Sequence, residues 1–439
     1  MTPTADIVVI GGGVIGASAA FHLASKGAKK VVLVDKGAIG SGETHKSGGF
    51  IQTHWDHPGE IKLIAKAREV FQHWSEIVGG DCGWEQKGYL HVTGTEREAN
   101  TRRTHQMLLD LRLPSHWLEP AELAERWPLL NIEGLVGGAY EPTSGWANAL
   151  ATTRSLAEAA RARGVDVREN LRVTAILHDE RSITGVATER GTITAPIVIL
   201  AAGPWTPALH VGDPLPIQLE RGQVCYFDRP GGLPDREIGF YDEVTGMYTH
   251  PDGDTNLVGI DSPFAVLTSP DEYKRDLDPE YLLAATRALA HRFPKLAEGA
   301  TLVRGVVGIY DFTPTGQPII DGPIGLTGYY VAAGFSGTGF KSAPATGLGL
   351  AELVLDGKPS SVDLSHLTLA RFAQPATPGF PPALAAKLTE LRMLLTDDEQ
   401  QRLIPYITSL QPPELAAFAM ELMTAPADAI AERLREALR

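Results

Sequence analysis

The sequence predicts an α/β fold (α+β overall) in which a doubly wound domain is interleaved with an antiparallel-sheet domain and followed by a small C-terminal helical appendage. Three observations carry this. Residues 6–34 open the chain as a strand, a glycine turn, a helix and a second strand. Residues 84–92 and 218–260 are short runs rich in Val and Tyr separated by Gly and Asp turns, the pattern of an antiparallel sheet. After Gly357 prolines appear and the apolar residues take up helical spacing.

The first strand is Ile7-Val8-Val9-Ile10, the helix runs over about 14–26 and ends at Gly27, and the second strand, Val31-Val32-Leu33-Val34, closes on Asp35. A helical run over 147–163 ends at Gly164, and strand-like segments follow at 171–176 and 197–203. Segments 302–310 and 328–333 add two strands, and a helix is expected from about Phe340 to Leu355. Strands alternating with helices imply a parallel sheet. The expected division is 1–80, 144–213 and 304–358 for the doubly wound domain, 81–143 and 214–303 for the antiparallel domain, 359–375 for a linker and 376–439 for the appendage. Pro375, Pro378, Pro381 and Pro382 mark the linker region. In the appendage three sets of residues repeat at helical spacing: Leu384, Leu388, Leu391 and Leu395; Leu415, Phe418 and Leu422; Ile430, Leu434 and Leu438. Thr396-Asp397-Asp398-Glu399 has the spacing of a capping box. Packing on its own chain and docking of a protein partner, or self-association, through 376–439 are both open.

The composition narrows the function. With 39 basic and 53 acidic residues the formal charge is −14, which argues against nucleic acid as a partner. The 46 glycines exceed the ~7% of an average protein and call for tight turns or backbone approach to a ligand. Cys82 and Cys225 are the two cysteines, so no disulfide framework and no CxxC zinc site is expected, in keeping with a reducing cytoplasm. His54 and His57, three apart without a carboxylate cluster, are not expected to bind metal. No basic leader precedes Ile7, and the stretch from Ile7 to Leu23 is interrupted by Gly11, Gly12, Gly13 and Gly16, so neither a targeting segment nor a membrane span is expected.

Gly11-x-Gly13-x-x-Gly16 joins the first strand to the first helix, and Asp35 ends the next strand. In that context the glycines serve a tight turn, close approach of a pyrophosphate to the helix N-terminus, and helix-strand packing; the acid accepts from ribose hydroxyls. An acid there favours a free 2′-hydroxyl, hence FAD or NAD rather than NADP, on a Rossmann-like domain. No second strand-GxGxxG-helix follows for a separate nicotinamide cofactor, since Gly322-Pro323-Ile324-Gly325 is flanked by turn residues.

Further motifs follow in order: Gly40-Ser41-Gly42-Glu43-Thr44-His45-Lys46-Ser47-Gly48-Gly49, Ala202-Gly203-Pro204-Trp205, Arg221-Gly222-Gln223-Val224, Ile309-Tyr310-Asp311-Phe312-Thr313-Pro314, and Ala333-Gly334-Phe335-Ser336-Gly337-Thr338-Gly339-Phe340-Lys341. With these the chain, over roughly residues 5–358, resembles the D-amino-acid oxidase superfamily of FAD-dependent oxidoreductases, in its sarcosine oxidase and glycine oxidase branch.

The resemblance implies FAD held by Gly11, Gly13, Val14, Ile15, Gly16, Asp35, Lys36, Gly42, His45, Ser47, Gly48, Val173, Ala202, Gly203, Trp205, Gly334, Gly337, Thr338, Gly339 and Lys341. It implies a substrate side formed by Lys341, Tyr248, Tyr310 and Gln52, with Lys341 pairing with a substrate carboxylate. A cation at a helix N-terminus is poorly placed unless an anion is near, which agrees. Tyr241 is a weaker candidate.

The chain departs from the family pattern at several positions. Gln52 stands where many relatives have arginine, Thr338 replaces a histidine, and no cysteine lies near Gly308, where sarcosine oxidases attach the flavin. No lysine occurs between Asn256 and Asp261, where such oxidases activate oxygen, so O2 or another electron acceptor is open. His45 is out of step by a residue with a histidine that links to flavin in the dimethylglycine branch, and a noncovalent polar contact is expected of it. The implied reaction is hydride transfer from the C–H beside the nitrogen of a small amino acid or N-substituted amino acid to flavin N5, giving an imine that hydrolyses. The alternatives are a flavin monooxygenase, an NAD-linked dehydrogenase or a flavin-containing assembly subunit.

Overall fold

The computed structural model describes residues 4–229, 238–261 and 265–372, and scattered positions between 391 and 437. Two compact units are distinguished, Met1–Leu369 and Ala370–Arg439.

The first unit is built on two large sheets. Ile7–Ile10 pairs in parallel with Val31–Val34 on one side and with Ile197–Leu200 on the other. Asp166–Arg168 extends the sheet at one edge, and Tyr329–Ala333 followed by the antiparallel Ile319–Asp321 extends it at the other. Every residue of Ile7–Ile10 and Val31–Val34 is buried, the reason these strands read as unbroken apolar runs: a parallel sheet covered on both faces has no wet side. Ile7, Val9, Val31 and Leu33 share a core with the helices Val14–Ser25, Ala149–Ala162 and Gly339–Asp356. A three-stranded antiparallel sheet, Val173–His178, Ile183–Thr188 and Gly191–Thr194, packs on the Ile197–Leu200 strand. The first and last of these helices approach closely enough that a Cβ on Gly347 would overlap Ser18. Gly357, at φ +75°, ends the last helix as a left-handed cap.

The second sheet has nine strands among the described residues. Its middle runs Gln218–Asp228, Thr255–Ile260, Met247–Asp252, Gly239–Asp242 and Tyr89–Thr93, and Leu302–Phe312 lies along Gln218–Asp228. Alternation decides what each face does. Leu90, Val92, Phe227, Phe240, Met247 and Val258 pack on the helix Pro279–Arg292. Arg292 fixes that helix: fully buried, it pairs with fully buried Asp242 at 2.8 Å and donates to the carbonyls of Asn131 and Glu133. The alternate positions carry polar aromatics and glycines. His91 is opposite Tyr241, Tyr241 opposite Tyr248, and Tyr248 opposite Gly259. This second face is the one that lines the site.

In the other unit Leu391, Leu395, Leu403, Ile407, Phe418, Ile430 and Leu434 form a core, and Ala427–Ala437 is helical. Leu384, Leu388, Leu415, Leu422, Leu438, the prolines at 375, 378, 381 and 382, and Thr396, Asp397 and Asp398 of the expected cap lie outside the described residues. Among the described residues no helix is long and apolar enough to cross a membrane.

Candidate active site

The three glycines of the first turn have different duties. A Cβ on Gly11 (φ +107°) would run into the Ala201 carbonyl, and one on Gly16 into the Gly11 carbonyl, so both serve internal packing. A Cβ on Gly13 would meet Thr44 Oγ1 at 3.2 Å and nothing else within 4 Å, so this glycine keeps space open in front of the helix. The helix starts there without a side-chain cap, and first-turn N–H groups point outward; Val14 N donates to Thr44 Oγ1 at 3.1 Å. Ile15 is buried beside it. Asp35 accepts from Gly12 N at 2.6 Å and from Gly37 N at 2.7 Å, so besides the ribose role expected of it, it braces the turn. Burial raises its pKa and those two bonds oppose the rise.

Lys36, Gly42 and Trp205 come together: Lys36 Nζ lies 3.5 Å over the Trp205 ring, which is 3.8 Å from a Cβ built on Gly42. Asp271, which the sequence did not flag, ties them by accepting from Trp205 Nε1 at 2.9 Å and Lys36 Nζ at 3.3 Å. Gly203 (φ +53°) follows Ala202 in the turn after the Ile197–Leu200 strand, and Val173 is buried at the start of its own strand. Ser47 Oγ accepts from Gly49 N, and the Gly48 carbonyl lies 2.6 Å from His250 Nε2. His45 is exposed, with Nδ1 2.6 Å from the Gly42 carbonyl. Next to it Glu43 pairs with Lys46 at 2.8 Å and accepts from Ile309 N at 2.7 Å, which docks this loop on the strand at Gly308.

The late glycine loop is held from beneath by Asp311. This buried carboxylate accepts from Gly334 N at 2.9 Å, and burial pushes it up to about 6 against its bonds to the Gly334 and Phe335 amides. Gly334 and Gly337 take φ of +69° and +89°, and Gly339 opens the helix without a side-chain cap. The Thr338 hydroxyl stands between Phe335 O, at 2.8 Å, and the Glu60 carboxylate.

Lys341 follows in the first turn, 6% exposed. Its Nζ is 3.4 Å from Gly337 O and 4.7 Å from the centre of the Trp55 ring. Burial draws its pKa down to about 8, with Glu60 opposing. Tyr310 lies 3.4 Å from a Cβ built on Gly337, and the Tyr248 and Tyr310 hydroxyls are hydrogen-bonded to each other. Phe50 meets Tyr248 and Tyr89 edge-on at 5.8 and 6.0 Å, and Gln52 hydrogen-bonds Tyr89. All four expected substrate-side residues therefore belong to one contiguous set. Burial holds the Tyr248 and Tyr310 pKa values above the ordinary range, so both are neutral near pH 7. Tyr241 donates to Asp261 at 2.5 Å and packs on His91, which packs on His54.

Sequence reading missed Trp55 and Glu60. Gln52 Oε1, His54 Nδ1, Trp55 Nε1 and Glu60 Oε1 are all buried without a hydrogen-bond partner. Buried polar atoms are normally paired, so these four leave hydrogen-bonding capacity for water or a polar ligand.

Residues 6–353 match the FAD dependent oxidoreductase (DAO) family. The chain belongs to that family. It is 29% identical to human mitochondrial sarcosine dehydrogenase over 383 residues, which is 84% of this chain but 41% of that protein. It is likewise 29% identical to glycine oxidase of Geobacillus kaustophilus over 382 residues, 84% of this chain and 98% of that one. The crystal structure of L-proline dehydrogenase from P. horikoshii superposes with a TM-score of 0.78 at 27% identity, covering 85% of this chain and 99% of that one. The chain thus spans less than half of the sarcosine dehydrogenase and nearly all of the glycine oxidase. FAD is the cofactor of this oxidoreductase family, and the residues present fit it: an uncapped helix start kept open at Gly13, an acid at its side, a second uncapped helix start at Gly339, and partnerless polar atoms beside Lys341.

Proposed function

We propose that this oxidoreductase removes a hydride from the C–H beside the nitrogen of a small amino acid or N-substituted amino acid. The imine formed hydrolyses to an aldehyde or keto acid plus amine. The observation that carries this reading is Lys341, a buried ammonium with one long hydrogen bond, a ring face beside it and the Glu60 carboxylate acting on it through space. A desolvated cation is stabilised by an anion, and a substrate carboxylate supplies one. The relatives named above act, by their names, on sarcosine, glycine and L-proline, each of which has its nitrogen on the carbon next to a carboxylate. That shared feature supports a carboxylate anchored at Lys341.

When bound, FAD supplies the two-electron acceptor for that hydride. Lys341 fixes the carboxylate end of the substrate, which orients the C–H beside the nitrogen. Tyr248 and Tyr310, neutral and joined by a hydrogen bond, form the polar wall opposite, and the aromatic sheet face around them keeps water out. No side-chain base is needed when the amine binds neutral.

The test is Lys341→Met, which keeps the methylene stem and removes the charge, assayed by anaerobic bleaching of the bound flavin with glycine, sarcosine and L-proline and with their methyl esters. Truncating one partner of a desolvated charge pair costs about 2–5 kcal/mol, so kcat/KM for the acid should fall roughly 30- to several-thousand-fold and far less for the ester. Equal losses for acid and ester would refute the carboxylate reading.

A further inference from the structure

We propose that the indole N–H of Trp55 is the second donor to the substrate carboxylate, working beside Lys341. The inference rests on the carboxylate reading above and extends it to a residue of the loop before the helix Pro58–Gln72.

A carboxylate offers two oxygens, and Lys341 is a single point charge that satisfies one side of it. Trp55 Nε1 is buried and partnerless. An indole nitrogen is a donor only, so it is satisfied by an acceptor and by nothing else. The neighbouring buried acceptors Gln52 Oε1 and Glu60 Oε1 are themselves partnerless, so neither reaches it. The ring that carries this N–H is the ring over which Lys341 Nζ sits, 4.7 Å from its centre. Ammonium and indole N–H thus belong to one contact, the first at the face of the ring and the second at its rim.

The segment is held at both ends, which fixes the donor before any ligand arrives. Thr53 N donates to buried Glu141 at 2.8 Å. On the other side His57 caps the helix by accepting from Gly59 N at 3.2 Å and stacks on His366 with ring centres 5.0 Å apart. A donor positioned in this way loses little freedom on binding.

The probe is propanoate, a carboxylate without an amine, titrated into the FAD-loaded protein and followed by the flavin absorbance. Trp55→Phe keeps a ring beneath Lys341 and removes the N–H. A hydrogen bond to a charged group is worth a factor of about 10–150, so the propanoate Kd should rise by that amount while the flavin spectrum is kept. A second readout needs no variant. The chain has seven tryptophans, and in protein labelled with 15N-tryptophan one indole N–H signal of the seven should move downfield as propanoate saturates. If Lys341→Met weakens propanoate while Trp55→Phe does not and no indole signal moves, the Trp55 proposal is overturned and the Lys341 reading stands. If neither variant changes the Kd, both fall.

Discussion

Tyr248 lies across Gly259, the residue directly opposite it on the neighbouring strand, so closely that a Cβ on Gly259 would overlap the tyrosine ring. Tyr89 likewise lies over Gly239, its opposite residue, and Tyr310 lies over Gly222, two residues along from its opposite residue Glu220. On this face of the sheet the glycines are the space the tyrosines occupy, and the ring positions follow from which residues of the neighbouring strand lack a side chain. Gly259 is not in the left-handed region, so Gly259→Ala acts by sterics alone. It should displace Tyr248, break the hydroxyl contact to Tyr310, lower kcat/KM, and cost about 1–3 kcal/mol of stability in urea unfolding. In a Tyr248→Ala background the same substitution should be nearly neutral. A loss of equal size in both backgrounds would show that the two residues are not coupled.

FAD should be released by acid or heat. Cys82 and Cys225 are buried, and burial pushes both thiols up to about 12, so neither presents a thiolate. Gly308 faces the Glu43 carboxylate instead of carrying a reactive side chain, and His45 is turned to the Gly42 carbonyl. Mass spectrometry of the denatured protein should give the bare polypeptide mass. A mass increase equal to FAD that disappears in His45→Ala would overturn this expectation.

Much of the parallel sheet was legible because its signals are local. The helix read at about 14–26 is Val14–Ser25, and the one read from about Phe340 to Leu355 is Gly339–Asp356, each ended by a glycine that the sequence displays. Lys341, Tyr248 and Tyr310 were singled out as candidates through neighbouring motif residues. Trp55 and Glu60 were not, because their meaning depends on a contact made 281 to 286 residues away in the chain. Nothing in Thr53-His54-Trp55-Asp56 says that a lysine from a late helix will settle on the indole. The helices Pro58–Gln72, Glu98–Asp110 and Pro279–Arg292 were likewise passed over. Asp311 reads as an ordinary strand residue until the glycine loop folds over it and gives it two amides to hold.

The charge of Lys341 sets the last expectation. Its pKa is lowered to about 8, with burial the larger cause and Glu60 opposing. The ammonium is therefore present below pH 8 and lost as pH rises through it, so propanoate affinity should be level near neutrality and fall about tenfold per pH unit well above pH 8. Glu60 acts in the raising direction, and its own carboxyl is raised by burial, lowered by Thr338 and Lys341, and raised by Asp56. Removing the negative charge in Glu60→Gln leaves burial unopposed, so the break should move to lower pH while affinity well below the break changes little. Lys341→Arg keeps its charge throughout and should abolish the break, whatever it does to the absolute affinity. Kd values from flavin absorbance between pH 6 and 9.5 test all three proteins. A break that stays at the same pH in Glu60→Gln would mean that Glu60 does not act on Lys341, and one that persists in Lys341→Arg would assign the titration to another group.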